Sequence, residues 1–348
     1  MARILYAASG DGFGHAVRLH SVGAGLLERG HDVRFVSCGK TWDYLHAIYP
    51  DRTYGSFGLF TIYNQGKVEA YKTVLHNARR AWRSLRPSLR SLWALFDAFK
   101  PELVITDFEP FSAQLARLRG VPYISVDNQH LLTHCAVQHP TGCTRDLINA
   151  YLTIRLYYGG AKRYLISTFF PAPIRYQPAK LIPPILRSSV YETFTRDDGF
   201  ILVYKGAGGE NDAMRRALEQ FDRFPIRAYG FGLEGERGHI TFRPTSPDAF
   251  LSDLASCRAV ISTAGHSLVC EAIYFEKPML LLPVQGQYEQ IVNAHHVRRM
   301  GVGASCDRLD APVIERFTDG LAGFRTALAA CPKASLNAVL KAIEKEIP

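Results

Sequence analysis

Long apolar runs are missing from this chain. None of its 348 residues lies in an uninterrupted apolar stretch of ~18, the length a bilayer core demands, so no transmembrane helix is expected. Paired cysteine motifs are missing as well. The seven cysteines are odd in number and include no C-x-x-C, which speaks against a zinc site or a disulfide framework and fits reduced thiols in a cytoplasmic protein. The apolar Arg3–Ser9 is too short for a secretory signal and leads straight into a turn, so none is expected. There is no short repeat and no low-complexity segment. What is present is a globular composition, 47% hydrophobic and 21% charged, in a chain long enough for two domains.

The charge is lopsided. Residues 1–187 hold 23 of the 41 Lys and Arg but only 12 of the 32 Asp and Glu, so the whole positive excess lies in the N-terminal half. A one-sided excess points to an anionic partner for that half.

The first half alternates strands (Arg3–Ser9, Asp32–Ser37, Glu102–Asp107, Tyr123–Asp127) with helices (about 14–29, 41–48, 68–99 and 110–119), the pattern of a parallel sheet covered on both faces. Paired prolines and a polar run over 182–199 read as a linker. A new strand, Phe200–Gly206, then opens a second alternation. The division is a domain over 1–186, a linker over 187–198 and a domain over 199–348, whose last helix would be free to pack back on the first domain.

Two glycine turns carry the chemistry. In "SGDGFGH" glycines stand at Gly10, Gly12 and Gly14. A nicotinamide fingerprint needs a third glycine where His15 stands and an acid about 20 residues on, at the end of the second strand. That strand ends "FVSCGK", so both conditions fail. The second stretch, "STAGHSLVCEAIYFEKPMLLLPVQGQYEQIVNA", starts at a strand end. Gly265, His266 and Ser267 fall on the first turn of a helix, where free N–H groups and the dipole favour an anion. Glu271 shares a helix face with Ser267. Gln287, Glu289, Gln290 and Asn293 follow the next strand, at the sheet edge where α/β proteins bind ligands. "KGAGGEN" opens the second half, and Gly208 and Gly209 would let backbone amides approach a diphosphate.

These residues resemble the donor-binding signature of nucleotide-sugar glycosyltransferases of the GT-B fold. The chain is similar to the peptidoglycan-precursor N-acetylglucosaminyltransferases and to the UDP-glucuronosyl and plant-type glucosyltransferases. The matching positions are Gly265, His266, Ser267, Glu271, Pro278, Gln287 or Gln290, and Asn293–Ala294, and "GDGFGH" matches the same families' histidine-ended turn. Glu289–Gln290 stands where the family has aspartate–glutamine, which leaves the donor sugar open. The resemblance implies an α/β architecture of two Rossmann-like domains facing each other across a cleft. It implies a donor, UDP-linked, in the C-terminal half and a hydroxyl acceptor in the N-terminal half. It also implies an inverting transfer with His15 as general base oriented by Asp107. Histidine suits that role because its pKa lies near working pH. Asp11 and Glu109 are rival bases. Lys205 is a candidate for the diphosphate, and Phe242 and Arg243 for the nucleobase. No D-x-D pair occurs, so neither a metal nor a further cofactor is expected. A sugar-nucleotide epimerase of the same fold and a non-catalytic nucleotide-sugar-binding protein are the alternatives.

Residues 67–100 hold eight Lys and Arg against two acids. Apolar residues recur there at helical spacing (Tyr71, Leu75, Ala78, Trp82, Leu85, Leu89, Leu92, Phe96), with Lys72, Arg79, Arg83, Arg86 and Arg90 beside them, and Pro87 interrupts the pattern. One reading buries the apolar stripe in the core. The other lays it on an anionic membrane surface, which would suit a lipid-linked acceptor and a peripheral location at the inner membrane face. A second aromatic–cationic stretch spans 153–180. Nucleic acid is not expected as a partner.

Overall fold

The computed structural model describes residues 1–10, 13–60, 62–64, 67–206, 211–244 and 246–348. Two seven-stranded sheets organise the chain. In the N-terminal half the strands are β1 (Arg3–Ala8), β2 (Asp32–Ser37), β3 (Thr53–Gly55), a small hairpin β4–β5 (Tyr63–Asn64, Lys67–Val68), then β6 (Leu103–Asp107), β7 (Tyr123–Asp127), β8 (Arg163–Ser167) and β9 (Ala179–Ile182). The large sheet runs β3-β2-β1-β6-β7-β8-β9, all parallel. Ile4–Ala8 and all of β6 and β7 are buried, as a sheet covered on both faces requires. The covering helices are α1 (Phe13–Glu28), α2 (Gly39–Ile48), α3 (Ala70–Phe99), α4 (Pro110–Leu118), α5 (Leu131–His134) and α6 (Thr144–Tyr158).

After α7 (Ser188–Glu192) the second sheet takes β10 (Ile201–Tyr204), β11 (Ile226–Tyr229), β12 (Gly235–Arg237), β13 (Ile240–Arg243), β14 (Ala259–Ser262), β15 (Met279–Leu281) and β16 (Gly303–Ser305). Its order is β12-β13-β11-β10-β14-β15-β16, with only the short β12 antiparallel. The helices are α8 (Asn211–Glu219), α9 (Pro247–Ser256), α10 (His266–Tyr274), α11 (Tyr288–Arg299), α12 (Ala311–Asp319), α13 (Leu321–Ala329) and α14 (Leu336–Glu344). This is the expected architecture of two α/β domains. α14 packs on α1 and β9: Val339, Leu340 and Ile343 join the N-terminal core, and Arg29 pairs with Glu344 at 2.5 Å.

Each sheet reverses its strand order once, between β1 and β6 and between β10 and β14. Ligands of open α/β sheets sit beyond the strand ends at such reversals. Ala8 of β1 lies beside Asp107 of β6, and Tyr204 of β10 beside Ser262 of β14, so each reversal brings one glycine turn to a neighbouring strand end. An apolar seam joins the halves: Leu131, Leu132, Phe169 and Phe170 share one core cluster with Val269, Val292 and Ala294. Phe170 stacks on His296 with ring centroids 3.6 Å apart.

Two stretches read differently in three dimensions. The C-terminal end of α3 is buried through Leu92, Leu95, Phe96 and Phe99, and nearer its start Thr73, Asn77 and Arg80 bond to Ile62, Phe60 and Gly58, whereas Tyr71 is 78% and Trp82 91% exposed. The helix continues through Pro87. The aromatic–cationic stretch at 153–180 is no uniform surface: it ends α6, then enters the core as β8, where Tyr164, Leu165 and Ile166 are buried.

Candidate active site

α1 begins directly after the β1 turn, and the first turn of α10 faces it from the other half. A side-chain carbon on Gly14 would lie 2.6 Å from Ser267 Oγ, so only glycine permits this approach. A carbon on Gly10 would lie 2.4 Å from both the carbonyl oxygen and Sγ of Cys38 at the end of β2. Packing therefore accounts for these two glycines. Gly12 and the rival base Asp11, with Gly208 and Gly209 of the other turn, lie outside the described residues.

His15 Nδ1 stands 3.1 Å from Asp107 Oδ1, with Asp107 wholly buried at the end of β6. Phe108, which follows it, takes a φ of 57°, a left-handed backbone rare for an aromatic residue. Its ring stacks on Tyr158 at 3.8 Å, which helps to hold that conformation. Arg18 lies one helical turn from His15 and grips Asp107 with both arms of its guanidinium, Nε–Oδ2 and Nη2–Oδ1 each at 3.0 Å. Its Nη2 is also 2.9 Å from His15 Nδ1, and its Nη1 reaches Ser267 Oγ across the halves at 3.4 Å. Burial alone would raise the Asp107 carboxyl, but Arg18, then His15, outweigh it and bring the pKa down to about 2.

Arg18 was not among the residues singled out from sequence. The signal was there, since a lone arginine three residues after His15 sits among Ala16, Val17 and Leu19, all buried here. Its spacing puts it on the face of His15.

The donor-signature residues divide. Gly265 caps α10 and has open space around its Cα, leaving the helix N-terminus approachable. His266 is buried beside Cys270, and burial, then the charge of Arg18, lowers its pKa to about 3, so it is neutral at pH 7. Glu271 is gripped by Arg187, Nε–Oε1 and Nη2–Oε2 both at 2.8 Å. That partner was also missed, for it lies in the stretch read as a linker. Two carboxylate oxygens carry about four acceptor positions, so the pair leaves acceptor capacity on Glu271. Gln290 works on the backbone: its Oε1 accepts from Ala264 N at 3.2 Å and Val284 N at 3.1 Å, and its Nε2 donates to Gln287 Oε1. Asn293 donates to Ala264 O at 2.9 Å. Together Gln290 and Asn293 hold the loop that presents Gly265.

Four weaker candidates remain. Glu109 is the N-cap of α4 and accepts from Phe111 N at 3.1 Å and Ser112 N at 2.7 Å, while burial raises its pKa to about 7. Phe242 is a core residue, 2% exposed, and does not face a nucleobase. Arg243 pairs with Asp253 at 3.0 Å. Lys205 follows β10, and partial burial lowers its pKa.

A family model described as Glycosyl transferase family 1 matches residues 2–322. Among curated relatives, the UDP-N-acetylglucosamine--N-acetylmuramyl-(pentapeptide) pyrophosphoryl-undecaprenol N-acetylglucosamine transferase of Lachnospira eligens is 26% identical over 271 residues, 68% of this chain and 69% of that protein. An uncharacterized glycosyltransferase of Methanosarcina acetivorans is 26% identical over 357 aligned residues, 90% of this chain and 85% of that protein. Among solved structures, UGT2 of Phytolacca americana, complexed with UDP-2fluoro-glucose and pterostilbene, superposes with a TM-score of 0.69 at 16% identity, covering 99% of each chain. MurG of Acinetobacter baumannii gives 0.61 at 17% identity, covering 99% of this chain and 100% of that one. Both have the two-domain GT-B fold.

Proposed function

This chain belongs to glycosyl transferase family 1, and from that premise we propose that it transfers a sugar from a UDP-linked donor to a hydroxyl acceptor with inversion and without a metal. The observation that carries the reading is the cluster of His15, Asp107 and Arg18, tied to Ser267 of the other half through Arg18 at the meeting of two helix N-termini. In the tautomer that donates Nδ1–H to Asp107, with the Arg18 Nη2 proton directed to Asp107 Oδ1 instead of to Nδ1, His15 presents Nε2 as the base. Nε2 takes the acceptor hydroxyl proton as the oxygen bonds to the anomeric carbon. The bond from that carbon to the diphosphate oxygen breaks on the opposite face, which inverts the centre. The leaving diphosphate gains one negative charge, and the N–H groups of the first turn of α10 and the Ser267 hydroxyl receive it. Arg18 holds Asp107 ionised and ties this apparatus to the donor half.

The acceptor we propose is lipid-linked and reached at an anionic membrane surface. Support comes from the exposed Tyr71, Val74 and Trp82 on α3, with Arg79, Arg83, Arg86 and Arg90 exposed on the same helix. Among the described residues no helix is long and apolar enough to cross a membrane.

The test is incubation with a panel of labelled nucleotide sugars, with and without EDTA. The expected result is slow hydrolysis or transfer of a UDP-sugar, unaffected by EDTA, with an inverted anomeric centre by NMR. A new sugar nucleotide would mark an epimerase, and binding without turnover would mark a non-catalytic protein; either outcome overturns the proposal.

A further inference from the structure

A second cavity, of about 440 Å³, opens in the N-terminal half and shares no lining residue with the α1–α10 junction. Arg117 of α4, His130 at the start of α5, Arg155 near the end of α6, and Tyr164 of β8 line it, together with the turn Gly159–Ala161. This is the "YYGGAKRY" part of the aromatic–cationic stretch, which the transfer reaction does not use.

Its geometry is specific. Gly160 has a φ of +94°, a backbone that favours glycine, and the Arg117 guanidinium lies close over it, 3.2 Å from where a side-chain carbon would stand. The N–H groups of Gly160 and Ala161 donate to Tyr164 Oη at 2.7 and 3.1 Å. With its oxygen accepting twice, the hydroxyl keeps its own proton to donate. His130 is 1% exposed, and its Nδ1 lies 2.7 Å from Asp127 Oδ2, an acceptor that also takes the Ser125 hydroxyl. That fixes the proton on Nδ1 and leaves Nε2, which is buried without a hydrogen-bond partner. Arg117 and Arg155 are exposed and make no ion pair among the described residues; they bond to Gln114 Oε1 and to the Tyr151 hydroxyl. No carboxylate lines the cavity.

Two unpaired guanidinium groups and a hydroxyl donor select an anion, and the planar fork of arginine matches phosphate oxygens. His130 Nε2, a buried polar atom without a partner, calls for a hydroxyl beside that anion. The volume is that of a small-molecule site. Leu156, in the cavity wall, is 73% exposed, with Leu152 and Tyr157 exposed beside it on α6, so the rim is apolar. We propose that this cavity is a binding site for a phosphate group carried on a hydroxylated moiety, either a soluble sugar or polyol phosphate or a lipid headgroup whose chains lie on the α6 rim.

Calorimetry on the full chain at constant ionic strength tests this with glucose 6-phosphate, with and without excess UDP. A second arm measures co-sedimentation with phosphatidylglycerol against phosphatidylcholine vesicles, in a background where Arg79, Arg83, Arg86 and Arg90 are glutamine. The double variant Arg117→Gln/Arg155→Gln changes exposed side chains and should fold; His130→Asn removes the imidazole. The expected result is binding in at least one arm that UDP leaves intact and the double variant weakens at least tenfold. Binding of glucose 6-phosphate identifies a soluble ligand, and binding of phosphatidylglycerol vesicles alone identifies a headgroup. No binding in either arm overturns the proposal, as does binding that UDP abolishes or that the double variant leaves unchanged.

Discussion

Replacing Arg18 with methionine keeps most of the side-chain length and removes the charge. Asp107 is fully buried, and Arg18 supplies two 3.0 Å hydrogen bonds to it, leaving His15 as its other side-chain partner. Taking one member from a buried pair costs about 3–5 kcal/mol, because the other charge is left uncompensated. The same pair has a pH signature. Asp107 is held at about 2 against its usual 3.8, a shift on the order of 2 kcal/mol. The folded-state value is depressed, so this stability is complete above about pH 4 and is lost as the pH falls toward 2. About half of it remains at pH 3. Arg18→Met should therefore lower stability by about 3–5 kcal/mol at pH 7, and the gap from the unsubstituted protein should narrow by at least ~1 kcal/mol at pH 3. Urea unfolding followed by circular dichroism at both pH values measures this. A gap below ~1 kcal/mol at pH 7, or one that does not change with pH, would refute the claim that Arg18 holds Asp107 ionised.

His15→Ala should reduce turnover by ~10²–10⁴-fold while UDP affinity, read by calorimetry, stays within a factor of a few; full activity would sink the base assignment. Glu271→Gln should weaken UDP-sugar binding by about 1.5–3 kcal/mol, and should do so again in an Arg187→Met background. If the loss vanishes in that background, Glu271 serves only Arg187. Replacing Arg79, Arg83, Arg86 and Arg90 with glutamine should abolish salt-sensitive binding to anionic vesicles, since each cation near such a surface is worth about 1 kcal/mol and four together about 10³-fold, while UDP affinity is unaffected. Equal sedimentation of the variant and the unsubstituted protein would make those residues an ordinary solvated face.

Local pattern by itself determined a good deal here. Strands such as Asp32–Ser37 and Tyr123–Asp127 are legible as short β-branched and aromatic runs between helical stretches, and their observed bounds are those expected. The two glycine turns and the helix opening at Gly265 are likewise properties of short segments, and the charge asymmetry is a matter of composition. The pairing of charges far apart in sequence was decided only by the tertiary structure. Arg18 meets Asp107 from 89 residues away and Ser267 from 249, and Arg187 meets Glu271 from 84. No periodicity encodes such separations, because they arise from which strand ends a sheet reversal places side by side. The same holds for burial. The apolar stripe of α3 is continuous in sequence, yet of its residues only Leu92 and Phe96 are buried. Phe242 looks available for a base until β13 turns it inward, and Glu109 looks like a free carboxylate until α4 begins at its side and takes both oxygens as a cap. A side chain's chemistry is written in its residue type. Whether that chemistry is spent on the fold or left for a ligand depends on what packs against it.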